Sequence, residues 1–295
     1  MPENCVNHRE NVTAVLNHSN PSCLPRGELF FSRKFLDVFF PCSQGDYAGQ
    51  VASAARLLDL SVVGVDLNEE WSRSLLREGA YKRLREYFTV GYINGPVLRA
   101  IERLGFRKAM LSIKKDHQAV LDAAANLLGE VEEKCTLAKK NSLSGILLAD
   151  DIAGNSGLLF SHKDFVAAIL PLYEQIAGIM KRNDLYAFFH SDGDTREIIE
   201  SLIEAGYDCI HPIDNQAGLT LYELKNTFEN KVSFMGHIDI ITWNDERIVQ
   251  EVNNAENMFK DGGLILGSSC GLSMKTVSNK LSRLYPRWQI EGQAL

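Results

Sequence analysis

The sequence predicts an α/β fold and, within that class, a (β/α)8 barrel of the TIM type. Eight short apolar runs with the character of buried strands alternate along the 295 residues with segments of helical periodicity. Alternation of this kind is typical of a parallel sheet with right-handed crossovers. A doubly wound open sheet is the competing fold, but no Gly-x-Gly-x-x-Gly motif follows the first predicted strand. The barrel is therefore the preferred prediction.

Each predicted strand is a short run of buried-type residues with polar residues, glycine or proline at its ends. The eight runs lie at Leu24–Phe31, Ser61–Asp66, Tyr87–Asn94, Gly145–Asp151, Tyr186–Phe189, Tyr207–Ile213, Lys231–Asp239 and Gly263–Cys270. Single-domain barrels reach this length, and no long linker interrupts the sequence. Residues 1–295 are therefore predicted to form one domain.

The segments between the strands carry helix signals. Ser161–Asp164 and Thr220–Glu223 have the form of capping boxes. Asp116 is predicted to cap the longest helix, in which apolar residues keep helical spacing as far as Cys135. Pro171 is predicted to kink the helix that begins at Ser161.

A short amphipathic segment precedes the first strand. Val12, Val15 and Leu16 recur on one side of a helix predicted over Asn7–His18. This helix is predicted to lie outside the barrel, within an N-terminal extension over residues 1–23.

Composition narrows the functional classes. The net charge of -7 argues against nonspecific binding to nucleic acid or to an anionic membrane, both of which favour basic surfaces. No apolar run approaches the roughly 20 residues that a membrane span needs, and the polar N-terminus lacks the apolar core of a signal peptide. The six cysteines form no Cys-x-x-Cys pair, so reduced thiols and a cytoplasmic location are expected.

Polar and reactive side chains recur at the ends of the predicted strands, where barrel enzymes place their active sites. They are Glu28, Asp66, Asn94, Asp150, Asp151, His190, Asp192, His211, His237, Asp239 and Cys270. An imidazole, a carboxylate and a thiol that meet in one barrel mouth suit a zinc ion. Each residue also has a structural explanation, since acids after strands cap helices and a cysteine can fill an apolar gap. The residues alone leave both interpretations open.

The stretch from Tyr186 to Thr195 concentrates this chemistry. An apolar strand ends here on His190, and Asp192 follows two residues later. Side chains two residues apart on a strand point to the same side. The imidazole and the carboxylate are therefore predicted to converge at the end of the strand.

Several motifs resemble those of the uroporphyrinogen decarboxylase superfamily. They are Ala149–Gly154, the helix start Ser161–Phe165 with Pro171, His190–Gly193, Gly236–Asp239 and Ser269–Leu272. The resemblance runs over nearly the whole chain and is strongest from Gly145 onward. Within the superfamily, the chain is similar to the corrinoid-dependent methyltransferases, which include the methylcobamide:coenzyme M enzymes.

The resemblance implies a metal site. In those methyltransferases, zinc is held by a His-x-Cys pair after one strand and by a cysteine after the last strand. His190 matches the histidine, Cys270 matches the second cysteine, and Asp192 stands where the first cysteine would be. A carboxylate oxygen can bind zinc, but it makes the site harder and less electron-rich than two thiolates do.

The resemblance also implies substrates and roles. The methyl group would pass between a methylated corrinoid, carried by a separate corrinoid protein, and a small-molecule donor or acceptor. Glu28, Asp151 and Asp239 are expected to orient the substrate or carry protons. The substrate-binding residues are expected to be Asp66, Asn94, His211 and His237. The sequence leaves the donor, the acceptor and the oligomeric state open.

Two alternatives accompany this interpretation. A uroporphyrinogen decarboxylase-type lyase is the first, although the chain has Arg26, Arg33 and Lys34 without the arginine-rich N-terminal pattern of such enzymes. A mouth lined by acids would also repel a substrate with many carboxylates. The second alternative is a metal-free, non-catalytic binding protein, which Asp192 in place of cysteine favours.

Overall fold

A ring of eight parallel strands forms the centre of the protein in a computed structural model that describes residues 7–42, 46–277 and 279–288. The ring follows the order β1-β2-β3-β4-β7-β8-β9-β10, and a parallel bridge between Arg26 and Leu266 brings its last strand beside its first. The predicted (β/α)8 barrel is therefore confirmed. The strands are β1 Gly27–Glu28, β2 Val62–Asp66, β3 Phe88–Asn94, β4 Gly145–Ala149, β5 Ala153–Gly154, β6 Gly157–Leu158, β7 Tyr186–His190, β8 Cys209–His211, β9 Ser233–Ile238 and β10 Leu264–Ser268, of which β5 and β6 form a separate antiparallel hairpin.

Helices surround the ring and connect its strands. They are α1 His8–Leu16, α2 Arg33–Phe39, α3 Tyr47–Leu58, α4 Glu70–Glu78, α5 Pro96–Leu104, α6 Phe106–Lys115, α7 Gln118–Ala124, α8 Leu127–Lys140, α9 His162–Asp164, α10 Leu170–Arg182, α11 Ile199–Glu204, α12 Leu221–Phe228, α13 Asp245–Met258 and α14 Leu281–Leu284. None of the helices in the described ranges combines the length and apolar character that a bilayer crossing needs.

Successive residues of each strand face two different apolar layers, one inside the barrel and one between the sheet and the helices. Inward residues such as Val62 and Phe188 pack together inside the barrel. Their strand neighbours Val63 and Phe189 belong instead to the larger core between the sheet and the helices. This period of two decides which strand-end side chains can reach the mouth, the open end of the barrel at the carboxyl ends of the strands.

Helix α1 closes the opposite end of the barrel. Val12, Val15 and Leu16 pack into the interior apolar cluster, and the Ser233 hydroxyl donates to the Val15 carbonyl at 3.0 Å. The predicted N-terminal helix is confirmed, and it covers the amino ends of the strands. Ligands are therefore left with the mouth as the route into the barrel.

Two predicted helices differ in detail. The helix predicted to run from Asp116 to Cys135 is two helices, α7 and α8, which meet at residues 125–126. The predicted kink at Pro171 takes the form of a π-helical turn over Phe165–Ile169. Helix α10 begins directly after that turn, so Pro171 lies in a first helical turn, where its missing N–H costs little.

The expectation of reduced cysteines is wrong at Cys23, which is disulfide-bonded. Among the described residues, Cys42, Cys135, Cys209 and Cys270 are free thiols. Spacing along the sequence does not reveal which thiols a fold brings together, so the absence of a Cys-x-x-Cys pair was a poor guide. The cysteine argument for a cytoplasmic location loses its force with this bond.

Candidate active site

Three side chains converge at the mouth, where β4 and β7 end. The ligand atoms of Asp151, His190 and Asp192 all lie within 4.8 Å of one another. His190 Nε2 is 3.4 Å from Asp151 Oδ1 and 4.0 Å from Asp192 Oδ1. The two carboxylates are partly exposed, while the imidazole is largely buried. We call these three residues the triad.

The backbone explains why the triad forms. His190 ends β7 beside Ala149 of β4, and Asp151 follows Ala149 by two residues. The amide N–H of Asp192 donates to Asp151 Oδ1 at 3.2 Å, which joins the two loops. His190 ends β7 and Asp192 lies in the loop that follows, while Asp151 meets them from the loop after the neighbouring strand β4.

A second histidine holds His190 from behind. His190 and His211 are register partners on β7 and β8, and their Nδ1 atoms are 2.8 Å apart. Only one proton can lie between two ring nitrogens. Burial, followed by the charge of His190, holds the pKa of His211 well below its usual value, so His211 is neutral.

The hydrogen bonds of the pair determine which nitrogen of His190 faces the acids. The backbone of Ser268 acts to raise the pKa of His211, as a carbonyl oxygen near its second ring nitrogen would. Nδ1 of His211 must then accept the N–H of His190 Nδ1. In the neutral form of His190, the Nε2 lone pair then faces the Asp151 and Asp192 carboxylates, an arrangement that suits a bound cation.

Aromatic rings form the wall beside the two histidines. The Phe30 ring meets those of His190 and His211 edge-on, with centroid distances of 5.0 and 5.8 Å, and that of Tyr92 at 4.9 Å. Tyr92 in turn hydrogen-bonds Asp66, and burial raises the pKa of its phenol. Sequence reasoning missed Phe30 and Tyr92, because an aromatic residue near the end of a strand resembles ordinary core.

Asp214 adds a third carboxylate to the acidic side of the mouth. It accepts the amide N–H of Gly193 at 2.9 Å. Burial raises the pKa of Asp192, the charge of His190 opposes that shift, and the charges of Asp151 and Asp214 reinforce it. Asp214 was not among the predicted site residues, although it follows a predicted strand in the same way as the other acids.

The neighbouring acid Asp150 points away from the triad. Its carboxylate accepts the N–H groups of Val97 and Leu98, at 3.1 and 2.6 Å, and the Tyr173 hydroxyl at 2.8 Å. Burial raises the pKa of Asp150 to about 7, although these hydrogen bonds act to lower it. Asp150 therefore caps helix α5, whereas Asp151 is available to the mouth.

Glu28 lies behind the sheet. Its register partner is the outward residue Val63, and its carboxylate accepts the N–H and hydroxyl of Ser268, each at 2.9 Å, and the hydroxyl of Tyr285. Burial raises the pKa of Glu28 to about 7. These contacts fix β1 to the C-terminal segment, and a catalytic role for Glu28 stays a prediction.

Cys270 follows β10 and does not belong to the triad. Its thiol lies 3.6 Å from the Gly271 carbonyl. Partial burial, followed by the charges of Glu28 and Asp239, raises the pKa of this thiol to about 12. Asp151, which was not predicted as a ligand, is the third member of the triad, and a ligand role for Cys270 stays a prediction.

His237 faces the helices because the backbone of β9 breaks its alternation. Gly236 and His237 have φ values of 97° and 102°, in a region that side chains other than glycine rarely adopt. The His237 ring lies between Asn215 and Glu251, with ring nitrogen contacts of 3.2 and 3.1 Å. It ties β9 to α13, and its predicted contact with substrate is untested.

The remaining predicted residues also have partners of their own. Asp239 accepts the N–H groups of Ile241 and Thr242 at 3.0 and 2.9 Å, and so organises the turn after β9. Asp66 accepts the backbone and side-chain amides of Asn68, at 2.8 and 3.1 Å. Asn94 donates its side-chain amide to Glu102 on α5 at 2.9 Å. Their roles toward substrate stay predictions.

The triad fits a divalent cation of intermediate hardness. One imidazole nitrogen and two carboxylate oxygens are ligands that zinc accepts, and they leave room for a further ligand. His211 supplies the outer hydrogen bond that metal-binding histidines commonly make.

Comparison with known proteins places the chain in a family. The model of the uroporphyrinogen decarboxylase (URO-D) family matches residues 91–286, which is more than half of the sequence. The protein therefore belongs to the URO-D family. A search of curated protein sequences gave no significant match.

Solved structures share the fold at low sequence identity. A methyltransferase from Methanosarcina mazei superimposes with a TM-score of 0.74 at 14% identity, over 95% of this chain and 98% of that one. The YdhT protein from Bacillus subtilis gives 0.55 at 10% identity, over 97% and 90%. An endo-1,4-β-mannanase from Rhizomucor miehei gives 0.55 at 11% identity, over 90% and 94%. At these identities the likeness concerns the fold alone.

Proposed function

We propose that the protein is a corrinoid-dependent methyltransferase that moves a methyl group between a cobamide and a small-molecule donor or acceptor. The observation that carries the proposal is the triad, in which His190 Nε2 faces two carboxylates at the barrel mouth. Membership of the URO-D family and the fold shared with an archaeal methyltransferase support the choice of reaction. The methylated cobamide would arrive on a separate corrinoid protein.

Asp151, His190 and Asp192 would hold a zinc ion, with Cys270 as a further proposed ligand from the loop after β10. Bound there, zinc would act as a Lewis acid that lowers the pKa of a thiol acceptor or polarises a methyl donor. His211 keeps the His190 ring in the tautomer whose Nε2 is free to bind.

Other side chains at the mouth shape the space for substrate. Phe30 presents an apolar ring beside His190, which excludes water from one side of the triad. Asp214 keeps the opposite side acidic, as its charge on Asp192 shows. A small neutral or cationic substrate suits this mouth better than a polyanion does.

A uroporphyrinogen decarboxylase-type lyase is the second candidate, since the family match is to that enzyme. The acidic mouth disfavours a substrate with many carboxylates. Arg26 is already paired with Glu256 at 2.8 Å, and Arg33 lies over the rings of Tyr47 and Trp71. A metal-free binding protein is the third candidate.

A cytoplasmic location remains part of the proposal, and the disulfide at Cys23 weighs against it.

The proposal is tested by incubating the purified protein with methylcobalamin and a panel of small thiols, and by following loss of the methylcobalamin absorbance. We expect thiol-dependent demethylation that Asp192→Ala reduces at least tenfold. A matched substitution of an exposed acid outside the mouth, Glu174→Ala, should leave the rate unchanged. Porphyrinogen decarboxylation without any methyl transfer would overturn the proposal in favour of the lyase.

A further inference from the structure

A buried lysine lies outside the triad and lacks a partner. Lys134 is only 4% exposed and occupies the core-facing side of α8. Within the described ranges, its ammonium group makes no hydrogen bond and has no carboxylate within 4 Å. A buried charge without a partner is costly, so this position calls for an explanation.

Two arginines approach the same place from other helices. Arg73 of α4 and Arg99 of α5 both act on the charge of Lys134, and burial together with Arg99 lowers its pKa to about 8. Arg73 has a buried Nε without a hydrogen-bond acceptor. Arg73 Nε and Lys134 Nζ are therefore two donors without acceptors in the region where Arg99 also lies. We call these three residues the basic cluster.

The carboxylates nearby do not satisfy the basic cluster. Glu130 pairs with Arg99 at 2.9 Å, and Glu70 pairs with Arg73 at 2.7 Å. Burial would raise the pKa of Glu130, but the hydrogen bond from Arg99 and the charges of all three cations hold it below its usual value. The charges of Glu130 and Asp66 also act on Lys134, but neither carboxylate lies within 4 Å of its ammonium group, and Glu70 is shared with Arg77.

The cluster is also reachable from solvent. The side chains of Arg73 and Arg99 are 33% and 21% exposed. The Arg99 Nε donates to the Asn94 carbonyl at the end of β3, which fixes the guanidinium beside the mouth end of the barrel.

We propose that Arg73, Arg99 and Lys134 form a binding site for a phosphate group. Guanidinium forks match the oxygens of phosphate, and a lysine adds a compact point charge. The same chemistry is offered by inorganic phosphate and by a phosphomonoester on a small molecule. The site is separate from the triad and does not depend on the proposed methyl transfer.

The test is a titration of the full-length protein with inorganic phosphate, followed by the midpoint of thermal unfolding and compared with chloride at matched ionic strength. Preferential binding to the folded state raises the midpoint in a saturable way. We expect Lys134→Met to weaken the apparent phosphate affinity at least tenfold. Lys140→Met, which removes a charge from the exposed side of the same helix, should leave it unchanged.

Glycerol 3-phosphate provides the second arm of the experiment. Tighter binding of the ester than of free phosphate would support a site for a phosphorylated small molecule, and equal or weaker binding would support a site for the free ion. If Lys134→Met does not fold, Lys134→Gln replaces it. The absence of a saturable phosphate response in the wild type, or an equal response in the Lys134 variant, would overturn the proposal.

Discussion

His190 is the residue on which the proposed site depends, and its ring is fixed from three directions. Phe30 meets its edge, His211 binds its Nδ1, and the Asp151 carboxylate lies 3.4 Å from its Nε2. A ring held in this way has little freedom left to lose when a ligand binds, which is the property expected of a preorganised ligand.

Replacement of His190 separates function from stability. We expect His190→Ala to abolish methyl transfer, because the triad loses its nitrogen ligand. The free energy of unfolding should fall by an amount within the roughly 0.5–3 kcal/mol typical of point mutants, since a side chain at a strand end contributes modestly to the core. Urea unfolding beside the activity assay checks both statements. A fully active variant, or one that cannot fold, would assign His190 to structure.

His211 is expected to act through His190. His211→Phe keeps an aromatic ring of similar size but removes the acceptor for the His190 Nδ1–H. Loss of such an outer hydrogen bond typically costs about 10–100-fold in metal affinity. Competition titration of zinc against a chelator measures the effect, with His162→Phe as the matched control outside the triad. Equal zinc affinity in the two variants would rule out this role.

Part of the site was predictable at the residue scale. His190 and Asp192 were predicted to lie close together and they do, although Asp192 lies in the loop after β7 and not on the strand from which the prediction was made. Asp151 was predicted only as a proton carrier or a substrate-orienting acid. Its closeness to His190 could not be predicted, because it depends on the pairing of β4 with β7. The contact of His190 with His211 likewise depends on the register between β7 and β8, which cannot be predicted from the sequence of one strand.

At the scale of elements, the two adjacent acids after β4, Asp150 and Asp151, have different roles. Asp150 holds the start of α5 through two backbone N–H groups and also accepts from Tyr173. Asp151 reaches the mouth and is about half exposed. A sequence shows two consecutive acids, and only the direction of the backbone after the strand shows which one is structural.

A pair of substitutions distinguishes these tasks. We expect Asp150→Ala to lower the free energy of unfolding by about 2–4 kcal/mol, because a helix cap is lost and a buried hydroxyl is left without an acceptor. Asp151→Ala should change it by no more than about 0.5 kcal/mol, as is usual for exposed positions, while reducing activity. Equal stability of the two variants, measured by chemical unfolding, would contradict the division of roles.

Strand β9 shows where periodicity fails as a guide. Alternation alone predicts that His237 faces the mouth, two residues beyond the inward Met235. The positive φ angles at Gly236 and His237 turn the side chain toward Glu251. Glycine at 236 was visible in the sequence, but its conformation was not.

At the scale of the whole molecule, the eight apolar runs and the helical segments between them were sufficient to predict the barrel. The breaks in the helices at residues 125–126 and before Pro171 depend on packing between layers, which local patterns do not encode. The disulfide at Cys23 is also a tertiary feature. The fold was therefore more predictable than the partners of individual polar side chains.

Two buried acids give the molecule a characteristic dependence on pH. Burial raises the pKa of Glu28 and of Asp150 to about 7 in the folded state, above the ordinary values of the unfolded chain. The folded state thus binds these protons more tightly, and the associated stability is present at low pH and lost as pH rises through about 7. For Glu28 alone, this pKa shift corresponds to a change of about 3 kcal/mol in the free energy of unfolding.

We expect the free energy of unfolding, apart from other titrating groups, to fall between about pH 4 and pH 7, that is, from the pKa of these carboxyl groups in the unfolded chain to their pKa in the folded state. Glu28→Gln keeps a carbonyl acceptor for Ser268 and Tyr285 but cannot ionise, so its pH slope should be shallower than that of the wild type. Chemical unfolding across this range compares the two proteins. Identical slopes would show that Glu28 has the same pKa in the folded and unfolded states.

The measurement that tests the central claim most directly is the zinc content of the protein purified without chelator, by elemental analysis. The triad predicts about one zinc per chain, as for a single mononuclear site. Zinc content should fall to background in His190→Ala, and the comparison of Asp151→Ala, Asp192→Ala and Cys270→Ser identifies the remaining ligands. Wild-type protein that contains no zinc and takes up none when zinc is added would contradict the claim.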